Sequence, residues 1–96
     1  MKHCIIAKFV PEITPEEKAR IAEDVEKLFA PVTEISGVHG IKVLRNCIDR
    51  PNRYDLMIEI TMEKEALEVY DASEAHREWK EKYGSLLARK AIFDHE

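Results

Sequence analysis

A chain of 96 residues has room for one domain, spanning 1–96, with a core modest enough that a stabilising partner surface is expected. With 45% hydrophobic residues, 35% charged residues, a net charge of −4 and no basic run, it lacks the excess of cations that binding a nucleic-acid backbone requires. No apolar stretch approaches the roughly 20 residues that cross a bilayer, and the one at the N-terminus is too short for a signal peptide, so a cytoplasmic protein without membrane association is expected.

Residues 3–10 predict a strand, stopped by Pro11, with a nearly continuous apolar run from Cys4 to Ala7. Thr14-Pro15-Glu16-Glu17 then spells a capping box with proline at the first helical position. Ile21, Val25, Leu28, Phe29 and Val32 recur at helical spacing, and Pro31 should interrupt the last turn before Gly37 ends the segment. A second strand is expected over 38–46, with Val38, Gly40, Lys42, Leu44 and Asn46 on one face and His39, Ile41, Val43 and Arg45 on the other. Asp49 to Arg53, with Pro51 and Asn52, reads as a turn or loop flanked by Arg45, Arg50 and Arg53. The clearest strand is 54–62, where Leu56, Ile58, Ile60 and Met62 alternate with Asp55, Met57, Glu59 and Thr61. A short helix follows from Glu63 to Asp71, then a second from Ser73 to about Leu87, weakened at Gly84, and a last strand from roughly Arg89 to Asp94.

This β-α-β-β-α-α-β order predicts an α+β fold. A four-stranded antiparallel sheet of the ferredoxin-like kind would have its first and third strands central and its helices on one face. The uncovered face would carry Cys4, Ile6, Met57 and Thr61, with Lys8 and Glu59 among them. Such a face is too apolar for solvent, so a homodimer packing sheet to sheet is expected, with Lys8 and Glu59 near the interface and available to pair. Cys4 and Cys47 form no CxxC motif and should lie too far apart to bridge, so both are expected as reduced thiols. No cofactor motif is present. His39 and His95 lack a second ligand at metal spacing, so neither a cofactor nor a metal is expected.

The residues richest in chemistry lie at the helix junction. Ser73 caps the second helix and puts His76 in its first turn, facing the positive end of the helix dipole, which favours a neutral imidazole. Tyr70 closes the preceding helix, and His3 shares a strand face with Ile5, Ala7 and Phe9. Tyr70 and His76 should converge beside the sheet surface bearing His3, Ile5 and Ile58, with Trp79 on the face of His76. The blander alternative is a packed tyrosine and a histidine bonded to backbone or water.

The chain resembles the stress-responsive α/β-barrel family, small dimeric proteins with a ferredoxin-like fold, over essentially its whole length. The resemblance rests on Lys2-His3 and Lys8-Phe9 at the ends of the first strand and on Tyr54-Asp55-Leu56. It rests most strongly on Glu65-Ala66-Leu67-Glu68-Val69-Tyr70 followed by Ala75-His76. Where family members commonly have His-Pro-Ala-His, this chain has Ser73-Glu74-Ala75-His76, without the first histidine and the proline but with the last histidine kept. The resemblance implies a dimeric α/β barrel. It also implies that Tyr70 and His76 match the tyrosine and histidine with which polyketide-cyclase-like plant members handle enol and phenol protons, and that His3 matches a further histidine. Two functions then stand: a dimeric protein binding a small, partly apolar ligand between helices and sheet, and a cofactor-free cyclase-like enzyme with His76 as base and Tyr70 as its partner. A more distant relation is to ferredoxin-like monooxygenases and haem-degrading proteins, for which no haem-ligand signature is present.

Overall fold

The structure, a computed structural model, describes residues 1–96. Eight residues, Lys2–Phe9, form strand β1, and helix α1 follows over Pro15–Phe29. The capping box forms as read: the Thr14 hydroxyl accepts from the Glu17 amide at 3.1 Å, and the Glu17 carboxylate accepts from the Thr14 amide at 3.1 Å. Hydrogen bonding to the Thr14 amide first, and then to the Thr14 hydroxyl, holds the exposed Glu17 carboxyl below the usual range. α1 turns Ile21, Ala22, Val25 and Phe29 inward. At Pro31 the chain tightens into a 3-10 turn, Ala30–Glu34, before strand β2 at Val38–Arg45. Strand β3 covers Leu56–Met62, a 3-10 turn at Lys64–Ala66 leads into α2 at Leu67–Asp71, and α3 covers Glu74–Tyr83. A further 3-10 turn, Gly84–Leu86, delivers the chain to β4 at Leu87–His95.

The strands order as β2-β3-β1-β4, all neighbours antiparallel, with β1 and β3 central as expected of a ferredoxin-like sheet. In β1 the helix-facing residues are His3, Ile5, Ala7 and Phe9, and in β3 they are Leu56, Ile58, Ile60 and Met62; all eight are buried. Against them pack Val25, Phe29, Tyr70, Trp79 and Tyr83 from the helices.

Three details depart from the expected boundaries. β2 does not alternate strictly: a bulge between Val38 and Gly40 turns Val38 inward opposite Met62, where it is buried, and leaves His39 exposed. The extra residue at a bulge reverses which face the preceding residue occupies. β3 starts at Leu56, because Asp55 is engaged elsewhere. Its carboxylate accepts from the Phe9 amide at 2.9 Å and from the Lys18 ammonium at 3.0 Å. α3 stops at Tyr83, since Leu87 is already paired with Phe9 in the sheet and the Leu86 carbonyl accepts from the Val10 amide. On the open face, Lys8 and Glu59 do not pair. Glu59 accepts from Lys2 at 3.2 Å, and Lys8 donates to the Arg53 carbonyl at 2.8 Å. Cys4 and Cys47 are both free: Cys4 is buried in β1, where its thiol is pushed up by burial and by Glu59, and Cys47 is exposed after β2.

Candidate functional site

The junction of α2 and α3 is a turn of two residues, Ala72 and Ser73. Ser73 adopts an extended backbone and its hydroxyl accepts from the His76 amide at 3.3 Å, so the first turn of α3 is capped by a side chain. The cap sets the position of His76, whose ring then reaches back across the junction. Its Nδ1 lies 2.9 Å from the Asp71 carbonyl oxygen. A carbonyl only accepts, so Nδ1 carries the hydrogen, and Nε2 of the neutral ring keeps its lone pair. Burial holds the His76 pKa below its ordinary value, against the opposing pull of that same carbonyl bond, and the Lys80 and Lys90 charges lower it further. The ring is therefore an unprotonated base at neutral pH, half-buried at the mouth of the junction.

Tyr70 fills the space behind it. Its ring centroid is 5.0 Å from that of His76 and 5.5 Å from that of His3, each at an interplanar angle of 61°. The residue is fully buried, and its hydroxyl has no hydrogen-bond partner. A buried phenol with an unsatisfied hydroxyl forfeits roughly 1–3 kcal/mol of desolvation. Burial first, and then the Asp71 charge, push its pKa far above the usual phenol range, so it stays protonated and is a donor at any working pH.

The third ring, His3, is 6% exposed on the helix-facing side of β1. Its Nδ1 lies 2.5 Å from Asp94 Oδ1. β4 supplies that carboxylate because Asp94 stands directly opposite His3 in the antiparallel register. Asp94 orients the His3 ring much as the Asp71 carbonyl orients His76, and strand alternation alone does not reveal it, since the register of β4 on β1 joins residues 91 positions apart.

The structure thus brings His3, Tyr70 and His76 together, a phenol flanked by two imidazoles each fixed through Nδ1. Ile5, Ile58 and Trp79 belong to the same buried core cluster as Tyr70, all at 2% exposure or less. Trp79 stacks edge-on against Phe29, at 6.1 Å, and tilts against Tyr83, at 5.6 Å. The Tyr83 hydroxyl is also buried without a partner, but no imidazole flanks it. A cleft of about 370 Å³ opens at the far end of β1, between the 46–55 loop and the start of α1. No group of three or more histidine, cysteine or carboxylate side chains is arranged to hold a metal, and no helix is long and apolar enough to cross a membrane.

A family model described as the Stress Responsive A/B Barrel Domain matches residues 1–96. No curated protein matches the chain. Among solved structures, an Arabidopsis thaliana protein is similar at 25% identity and a TM-score of 0.72, with 99% of this chain and 92% of that one covered. A dimeric protein of unknown function with a ferredoxin-like fold from Bacteroides fragilis shares 18% identity at a TM-score of 0.78, over 99% and 93% of the two chains. A hydroxynitrile lyase from Passiflora edulis shares the fold at 9% identity and a TM-score of 0.70, over 98% and 89%.

Proposed function

The chain belongs to the stress responsive A/B barrel domain family, and from that footing we propose that it is a homodimer binding a small, partly apolar ligand between helices and sheet at the His3–Tyr70–His76 cluster. The observation that carries this reading is the unpartnered Tyr70 hydroxyl. A phenylalanine would fill the same space without the desolvation cost, so the hydroxyl makes most sense as a donor awaiting an acceptor on a ligand. The half-buried His76 marks the way in. α2 is only five residues long, lies between a 3-10 turn and the Ala72–Ser73 junction, and is the element best suited to yield to a ligand.

A second reading, a cofactor-free enzyme of the cyclase type, is favoured by the state of His76. Its free Nε2 lone pair and lowered pKa suit a general base, and the protonated Tyr70 suits stabilisation of developing enolate charge. The proton would pass from the carbon next to a carbonyl to His76 Nε2, while Tyr70 donates a hydrogen bond to the oxygen that gains charge.

The experiment is a thermal-shift screen of small carbonyl compounds and phenols against the wild type, Tyr70→Phe and His76→Ala. Tyr70→Phe should fold with unchanged or slightly raised stability, by up to about 1 kcal/mol, because it removes an unsatisfied group. Compounds that stabilise the wild type should lose most of that effect in Tyr70→Phe. Hits that stabilise all three proteins equally would remove the ligand from this cluster. Deuterium exchange at the α-carbon of a hit, present in the wild type and absent in His76→Ala, separates the enzyme from the binding protein.

A further inference from the structure

The connection from β2 to β3 takes ten residues, 46–55, where an antiparallel hairpin needs two to five. This loop is not loose. The Asn46 amide donates to the Asp55 carbonyl at 3.1 Å, and the Asn46 side chain binds the Tyr54 carbonyl and the Ile48 amide, each at 2.9 Å. Lys8 holds the Arg53 carbonyl, and the Asp55 carboxylate ties the loop's end to β1 and to Lys18 of α1. A long loop fixed this firmly, enclosing a cleft of about 370 Å³, is a built feature.

Its charge is unlike that of the rest of the chain. Lys8, Lys18, Arg45, Arg50 and Arg53 line the cleft, against only Asp49 and Asp55, in a protein whose net charge is −4. Two of the five cations have structural work: Lys18 is spent on Asp55 and Lys8 on a backbone carbonyl. Arg53 reaches no carboxylate and donates to the Asn52 side chain at 2.7 Å. Arg45 and Arg50 have neither an ion pair nor a side-chain hydrogen bond, although Asp49 is adjacent to Arg50 in the chain. Uncompensated arginines around one cavity repel each other, and a ligand with several negative oxygens relieves that repulsion. Phe9, Ile48 and Leu56 give the cleft an apolar wall.

We infer that this cleft, at the end of the sheet away from His3, binds a small phosphorylated organic molecule, its phosphate held by Arg45 and Arg50 and its carbon body against Phe9, Ile48 and Leu56. Three excess positive charges fit a dianionic phosphate monoester better than a single carboxylate, and the guanidinium fork matches phosphate oxygens two at a time. The volume lies within the range of small-molecule sites. The inference does not rest on the His3–Tyr70–His76 reading, because no residue is shared.

The test titrates the isotopically labelled full chain with phenyl phosphate at constant ionic strength and follows the backbone amides. Saturable shifts are expected over 46–55 and near Lys18, with those of Tyr70 and His76 unmoved. Benzoate, with one charge on the same ring, should bind at least roughly tenfold more weakly. Replacing Arg45 and Arg50 together with glutamine should weaken phenyl phosphate by roughly a hundredfold, about tenfold for each lost charged contact. Shifts that grow linearly and match those from sodium chloride would overturn the inference whether or not the double variant folds. Benzoate binding as tightly as phenyl phosphate would overturn the assignment to phosphate, and saturable shifts centred on His76 would overturn the location.

Discussion

His76 ties the chemistry of the junction to the stability of the fold. Burial lowers its pKa in the folded chain, so as the pH falls the unfolded chain takes up this proton first. Between the ordinary histidine value, about 6.5, and the lower folded value, the unfolded state binds more protons, and stability rises with pH. The contribution is complete above about pH 6.5 and is lost on acidification through the folded pKa. Urea midpoints at pH 7.5 and 5.5 should therefore fall further for the wild type than for His76→Gln, the carboxylates being common to both. Equal falls would mean that burial of His76 carries no such penalty. The approach of Tyr70 and His76 is legible in the sequence because it depends on local chemistry: a serine cap, helical spacing and a two-residue turn. The inward face of His3 follows from strand alternation. Asp94 and the Asp71 carbonyl are not legible in this way, the first because it needs the β1–β4 register, the second because it needs the rotamer of His76.

At the scale of elements, the glycines separate what backbone conformation demands from what tertiary pairing decides. Gly37 has φ +91°, and a Cβ there would meet the Ala66 Cβ at 3.2 Å, in the turn that feeds β2 past the start of α2. Gly84 has helical angles and nothing within 4 Å of its missing Cβ. Gly37→Ala should then cost on the order of 1–3 kcal/mol through the left-handed backbone and the contact. Gly84→Ala should be neutral or stabilise by up to about 1 kcal/mol. Chemical denaturation of both variants checks this, and a larger loss at Gly84 would contradict it. Leu86 and Leu87 continue the apolar spacing of α3, which is why the sequence suggests a longer helix. The pairing of Leu87 with Phe9 outweighs that local pattern. The bulge in β2 escapes the sequence for a similar reason: alternation is strict through His39, and only burial of Val38 against the helices explains the break.

At the scale of the molecule, the helices cover one side of the sheet. On the other, Phe93 is 61% and Leu44 45% exposed, beside Ile6, Met57 and Ala91 in neighbouring strands. We expect this face, with Ile6, Met57 and Thr61, to form the homodimer interface. Phe93→Asp should raise the dimer dissociation constant by roughly a hundredfold or more, as an unpaired charge in an apolar contact does. Sedimentation across micromolar concentrations reads the result, and a wild type that stays monomeric there would defeat the proposal. The architecture itself is legible because the order of strands and helices leaves few right-handed, unknotted arrangements. The position of β1 has a further consequence, for how the chain is made. β1 is synthesised before both of its neighbours, β3 and β4, and β4 is the last of the four strands in chain order. At typical rates of synthesis its second edge stays open for on the order of ten seconds while the chain as far as β4 is translated. Cys4, Ile5, Ile6 and Ala7 are then a nascent apolar strand with an unpaired edge, and the native sheet closes only once β4 has been made. Chaperones that shield exposed strands would act on this protein at β1.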